Sequence, residues 1–136
     1  MTQNTSAQPL IHGGAQTPRA ALSVLPPLAL YIHIPWCVRK CPYCDFNSHT
    51  ASKVLPEEEY VDALLADLDQ DLHAVYGREL SSIFFGGGTP SLFSAAALGR
   101  LLKGVQARIP FANDIEITLE ANPGTCLLYT SPSPRD

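Results

Sequence analysis

Leu28-Ala29-Leu30-Tyr31-Ile32-His33-Ile34, closed by Pro35, is the stretch on which the fold turns. A short apolar run with β-branched and aromatic members reads as a buried strand. Pro56 followed by Glu57, Glu58 and Glu59 predicts a helix start, with proline pre-set for the first turn and carboxylates at the positive helix end. Val61, Leu64, Leu65, Leu68, Leu72 and Val75 then recur at helical spacing, and Gly77 stands where a left-handed cap is wanted. Ser81–Phe85 is a second short strand, ending abruptly in Gly86-Gly87-Gly88. Ser94–Arg108 is a second helix, with Ser94 as N-cap and Leu98, Leu101, Leu102 and Val105 on one face. In Asp114–Glu120, Ile115, Ile117 and Leu119 alternate with Glu116, Thr118 and Glu120, giving a third strand stopped by Asn122-Pro123-Gly124. The order strand, helix, strand, helix, strand predicts an α/β fold, a parallel sheet with right-handed helical crossovers. Ligands gather at the carboxyl ends of such strands. The cysteine-rich loop from Pro35 to Ser52 and the triple glycine both lie there, so they should share one site.

The 136 residues suit about one domain. Charged residues make up 16%, below the roughly 25% of an average globular chain, which argues against disorder over the middle of the sequence. A net charge of −4 gives no basic footprint for nucleic acid. No apolar run reaches the roughly 18 residues of a membrane span. Leu22–Leu30 is broken by Pro26 and Pro27 and the first residues are polar, so no secretion signal is read. The expected compartment is the reducing cytoplasm, where clustered cysteines read as metal ligands rather than disulfides.

Cys37, Cys41 and Cys44 form C-x3-C-x2-C within eight residues, too dense for structural cysteines of no chemical interest. Thiolates are soft ligands suited to iron–sulfur clusters, zinc or copper(I). Pro35 and Pro42 stiffen the loop, while Arg39 and Lys40 offset part of the negative charge. Three cysteines are one too few for a four-cysteine cluster. A cubane so held keeps one iron open to a substrate or cofactor. The rival is a zinc site completed by His33 or His49.

Tyr31-Ile32-His33-Ile34-Pro35-Trp36-Cys37, with Cys41, Tyr43 and Cys44, resembles the signature of radical S-adenosylmethionine (SAM) enzymes. Within them the chain is similar to the oxygen-independent coproporphyrinogen III oxidase family. Phe84-Phe85-Gly86-Gly87-Gly88-Thr89-Pro90, the strand Glu116–Glu120 and Ala121-Asn122-Pro123-Gly124 support this. The oxidases proper carry a fourth cysteine two residues after the third. Here Phe46 stands there, so the chain resembles the haem-chaperone branch of the family. That resemblance implies one 4Fe–4S cluster, SAM on its open iron and haem as cargo. It also implies a haem acceptor protein and an electron donor, neither identified. The alternative within the family is a coproporphyrinogen dehydrogenase, which converts propionates to vinyl groups by oxidative decarboxylation.

By the same resemblance Cys37, Cys41 and Cys44 hold the cluster, and Tyr31 and Tyr43 contact SAM. Gly87, Gly88 and Thr89 lie along its methionine part, where glycines let backbone approach a ligand closely. Glu120 accepts hydrogen bonds from the cofactor; taken alone it is a solvated strand-end charge. No residue is assigned a catalytic role. Asp62, Asp67, Asp69 and Asp71 read as the wet face of a helix, and His33 as a strand residue packed against the loop. His12, His49 and His73 have no partner legible in the sequence.

Residues 1–25 read as a flexible extension and 26–125 as the first part of a radical SAM partial (β/α) barrel. That barrel has about twice these strands, and its family carries haem ligands in a further C-terminal domain, so the chain reads as truncated. Cys126–Asp136 follows an abrupt change of composition, with Pro132 and Pro134 forbidding the expected helix. Those eleven residues resemble a translated sequencing-library adapter and are expected to be a non-native tail.

Overall fold

Strand β1 forms at Leu28–Ile34 as expected, yet only one of its faces is covered: Ile32 and Ile34 are buried while Tyr31 is exposed. The computed structural model describes residues 24–122. Residues 1–23, the Pro123-Gly124 turn, Cys126 and the expected tail lie outside the described residues. Helix α1 spans Glu57–Asp71 and tightens into a 3-10 turn at Leu72–Ala74, before Gly77 turns the chain at φ +74°. Strand β4 spans Leu80–Gly87, running two residues further into the glycines than side-chain pattern predicts. Backbone pairing with β1 is the reason, since the parallel register continues from Leu28↔Leu80 to Ile34↔Gly87. Helix α2 spans Ala95–Arg108, capped by the Ser94 hydroxyl, which accepts from the Ala97 amide at 3.1 Å. Strand β5 spans Phe111–Leu119, starting earlier than its alternating stretch because Phe111 pairs with Leu80.

The sheet order is β1-β4-β5 with both pairings parallel, each crossover carrying a helix. Ile32, Ile34, Ile83 and Phe85 form one core cluster with Val61 of α1 and Ala97, Leu101 and Val105 of α2. Burial of each such large aliphatic or aromatic side chain is worth about 1.5–3 kcal/mol. Two further strands arise inside the stretch expected to be loop. They are β2, Trp36–Cys37, and β3, His49–Thr50, paired in parallel as a two-stranded ribbon.

The four aspartates read as the wet face of α1 are all exposed, and two of them form ion pairs across the helix seam. Asp62 pairs with Arg100, and Asp69 is gripped by Arg108 through Nε at 2.5 Å and Nη2 at 3.0 Å. Asp67 and Asp71 stay exposed. Glu57 of α1 accepts from the Ser94 amide at 2.6 Å and hydroxyl at 2.7 Å, tying both helix N-termini together. Among the described residues no helix is long and apolar enough to cross a membrane.

Candidate metal and cofactor site

The backbone from Ile34 to Cys37 is held on both sides, and this fixes the base of the cysteine loop. On one side the Ile34 carbonyl accepts from the Gly88 amide at 2.8 Å and the Trp36 carbonyl from the Thr89 amide at 2.7 Å. On the other, the Pro35 carbonyl accepts from the His49 amide and the Cys37 carbonyl from the Ala51 amide, both at 2.7 Å. Carbonyls in extended backbone alternate in direction, so one strand serves two neighbours. Trp36 anchors the same point from below, meeting Tyr60 edge-on at 4.7 Å and stacking on Phe93 at 5.8 Å between ring centroids. The Tyr60 hydroxyl donates to the His33 carbonyl at 2.6 Å, and burial pushes this phenol's pKa above its ordinary value.

From this base the loop carries three free thiols: Cys37 and Cys44 half-buried, Cys41 exposed. A turn joins the last two, with the Cys44 amide donating to the Cys41 carbonyl at 3.0 Å. Tyr43 projects 88% exposed between them, its phenol pKa raised by a hydrogen bond with Cys41. Among the described residues no three His, Cys, Asp or Glu side chains are gathered as ligands around one point. The donor chemistry nevertheless fits an iron–sulfur cluster. Three soft thiols sit within one short segment whose base is pinned, next to an open cleft.

Gly88 and Thr89 line that cleft with Glu120, Ala121 and Asn122; its volume is about 400 Å³. Glu120 is carried there by its amide, which donates to the Phe85 carbonyl at 3.0 Å, leaving the carboxylate exposed. The glycines do more than leave room for a ligand. Gly87 has φ +117°, and a Cβ on it would lie 2.8 Å from the Ile34 carbonyl oxygen. At Gly88 a Cβ would lie 2.7 Å from the Trp36 carbonyl oxygen and 2.9 Å from Cys37 Sγ. On this side the glycines make room for Ile34 and His33 of β1 and for Trp36 and Cys37 of the cysteine loop.

The expected union of cysteine loop and triple glycine is therefore met through Cys37, Gly87, Gly88 and Thr89, with Glu120 across the cleft. Tyr31 lies on the open face of the sheet, stacked on Phe84 with centroids 6.1 Å apart and covering Gly86. Its hydroxyl donates to His33 Nδ1 at 2.9 Å, because His33 Nε2 must donate to the Asn47 carbonyl at 2.8 Å. With both ring nitrogens engaged, His33 is a latch across the cysteine loop rather than a free fourth zinc ligand. His49 lies exposed on β3, and His73 donates to the Gln70 carbonyl at 2.9 Å. Sequence reasoning missed the Trp36–Tyr60–Phe93 cluster and the segment Asn47-Ser48. Asn47 and Ser48, two polar residues three and four positions after Cys44, were the available signal.

Comparison with known proteins bears on this geometry. The model of the radical SAM superfamily matches residues 31–127. Heme chaperone HemW of Escherichia coli is 63% identical over 101 residues, which is 74% of this chain and 27% of that relative. HemW of Haemophilus influenzae is 60% identical over 105 residues, again 74% and 27%. The oxygen-independent coproporphyrinogen III oxidase of Cereibacter sphaeroides is 35% identical over 104 residues, 76% of this chain and 23% of that protein. The solved structure of E. coli coproporphyrinogen III oxidase (HemN), described as a radical SAM enzyme, superposes with a TM-score of 0.69 at 33% identity. It covers 76% of this chain and 24% of that one. The chain thus spans about a quarter of the length of these relatives. Since the family match runs through both the cysteine loop and the glycine strip, on a parallel sheet shared with a solved member, the chain belongs to the radical SAM superfamily.

Proposed function

We propose that this chain is the cluster- and SAM-binding part of a haem chaperone of the HemW type. The observation that carries the reading is the cysteine loop itself: three free thiols, a pinned base, and Phe46 where a fourth thiol would otherwise stand. The 63% identity to a heme chaperone, against 35% to a coproporphyrinogen oxidase, favours the chaperone branch.

In this reading Cys37, Cys41 and Cys44 hold a 4Fe–4S cluster with one iron left for SAM. When bound, the pair supplies one-electron reductive chemistry at the sulfonium. Gly88 and Thr89 wall the cleft and Glu120 offers a carboxylate to the polar end of SAM, with Gly87 fixing the strip's turn. Tyr43 and Tyr31 give apolar faces with a polar edge, which suits covering an adenosyl group. Haem is the cargo, and an acceptor protein and an electron donor are required partners. A thiolate-held cluster is at home in a reducing compartment, so the cytoplasm is the proposed location.

The test uses the full-length protein carrying this sequence, reconstituted anaerobically. The expected outcome is labile sulfide and iron, stoichiometric haem binding by absorbance titration, and no decarboxylation of coproporphyrinogen III. Vinyl product formed with SAM turnover would replace the chaperone by a dehydrogenase, the activity named for the HemN relative that shares this fold. Stoichiometric zinc without labile sulfide would end both.

A further inference from the structure

Ser48 is 1% exposed, one of two buried polar residues among those described. Its hydroxyl lies 3.5 Å from Cys44 Sγ, within hydrogen-bond reach of the sulfur. No buried side-chain oxygen or nitrogen among the described residues lacks a partner. The Ser48 amide donates to the Phe46 carbonyl at 2.8 Å, and the next amide, of His49, donates to the Pro35 carbonyl at 2.7 Å. The hydroxyl is thus carried on backbone fixed on both sides and has little freedom to turn elsewhere. A buried hydroxyl without a partner is unfavourable, so the contact with sulfur is more than incidental.

The free thiol leaves the direction of this bond open, because either atom can donate. A cysteine that ligates iron has lost its proton and can only accept. Ser48 Oγ–H then becomes the donor to an anionic sulfur, a charge-assisted bond. Hydrogen bonds to cluster sulfurs are one of the levers that set a cluster's reduction potential. Such a bond draws electron density from the thiolate and favours the reduced state.

We infer that Ser48 is a positioning residue that donates a hydrogen bond to the Cys44 thiolate and thereby raises the reduction potential of the cluster. The inference rests on the reading of Cys44 as a cluster ligand. A plain spacer role for Ser48 makes a different demand, because alanine would then serve as well as serine.

The experiment compares wild type, Ser48→Ala and Ser48→Thr in the full-length protein, reconstituted anaerobically with iron and sulfide. Midpoint potentials are read by dithionite titration with mediators, following the reduced-cluster EPR signal. Pulsed EPR after exchange into D2O reads the exchangeable proton near the cluster. The expected result is a more negative midpoint in S48A at equal iron content, with loss of one deuteron coupling, and return of both towards wild type in S48T. If S48A retains too little iron to titrate, retention of iron by S48T but not S48A carries the inference, and loss in both overturns it. Equal midpoints and couplings in wild type and S48A would overturn it while leaving the cluster assignment intact. A wild type with no reducible cluster would sink the underlying reading, and this inference with it.

Discussion

Gly88 has no room for a methyl group: a Cβ would meet the Trp36 carbonyl oxygen at 2.7 Å and Cys37 Sγ at 2.9 Å. Neither neighbour yields easily, since one is backbone and the other sits on the strand that starts the cysteine loop. Gly88→Ala should therefore lower iron retention after reconstitution, measured as iron and sulfide per chain. Full retention with weakened SAM binding would show that the strip serves the cofactor alone. Gly87→Val should be worse, combining collision with the Ile34 carbonyl and a side chain at φ +117°. Cys41→Ala is expected to abolish the roughly four irons per chain of a cubane, because two thiolates cannot hold it. Retained iron and sulfide in C41A would remove Cys41 from the ligand set. These residues were legible before the fold was seen, because thiol spacing and a glycine run are local signals. The partners of Gly88 were not legible. They come from pairing between segments about fifty residues apart, and no periodicity announces that Thr89 answers Trp36.

Helices α1 and α2 were readable almost to the residue, since their apolar positions recur with the helical period and Ser94 is a cap by type. The short strands β2 and β3 were not. Two-residue strands have no period, and they exist because His49 and Ala51 amides find carbonyls of the Pro35–Cys37 backbone. Gly99 and Gly104 show how position decides substitution within one helix. A Cβ at Gly99 meets nothing within 4 Å, whereas one at Gly104 would lie 2.5 Å from Leu65 Cδ1. Gly99→Ala should stabilise α2 by about 1 kcal/mol, read as roughly five-fold slower amide exchange in that helix. Unchanged exchange would mean that α2 opens only with the whole domain. The seam between the helices carries a pH dependence. The hydrogen bond from the Arg108 guanidinium holds the Asp69 carboxyl below its ordinary range, and the same bond to Asp69 holds the guanidinium's pKa up in turn. A depressed carboxyl contributes stability above its unfolded pKa of about 3.9 and loses it as pH falls through the folded value. The Tm difference between wild type and Asp69→Asn should thus be present at neutral pH and close in acid. A difference that widened on acidification would reverse the assignment. The Asp69 site is exposed to solvent, so salt should shrink the difference as well.

Taken as a molecule, the described residues form a three-stranded sheet with helices on one face and little on the other. The uncovered face carries Tyr31 at 57% and Phe84 at 39% exposure. β1 and β5 are its two edges, and on β5 Ile117 and Leu119 are 44% and 38% exposed. Period-two alternation with Glu116 and Thr118 puts both on the face of Ile115, and they pair with the buried Ile83 and Phe85. Burial, however, depends on what lies over a strand: Ile115 packs against the core cluster, whereas Ile117 and Leu119 beyond it stay open. Unpaired parallel edges and apolar side chains on both faces are the ingredients of edge-to-edge association. Residues 1–136 produced alone should therefore self-associate with rising concentration, and neither bind haem nor turn over. Sedimentation velocity across a concentration series reads the first property, and absorbance titration the second. Ile117→Lys with Leu119→Lys should shift the distribution back towards monomer, because charge on an edge strand disfavours pairing without touching the core under α1. A wild-type chain that stays monomeric, melts in one sharp transition and holds its cofactors would show that this sheet is complete as it stands.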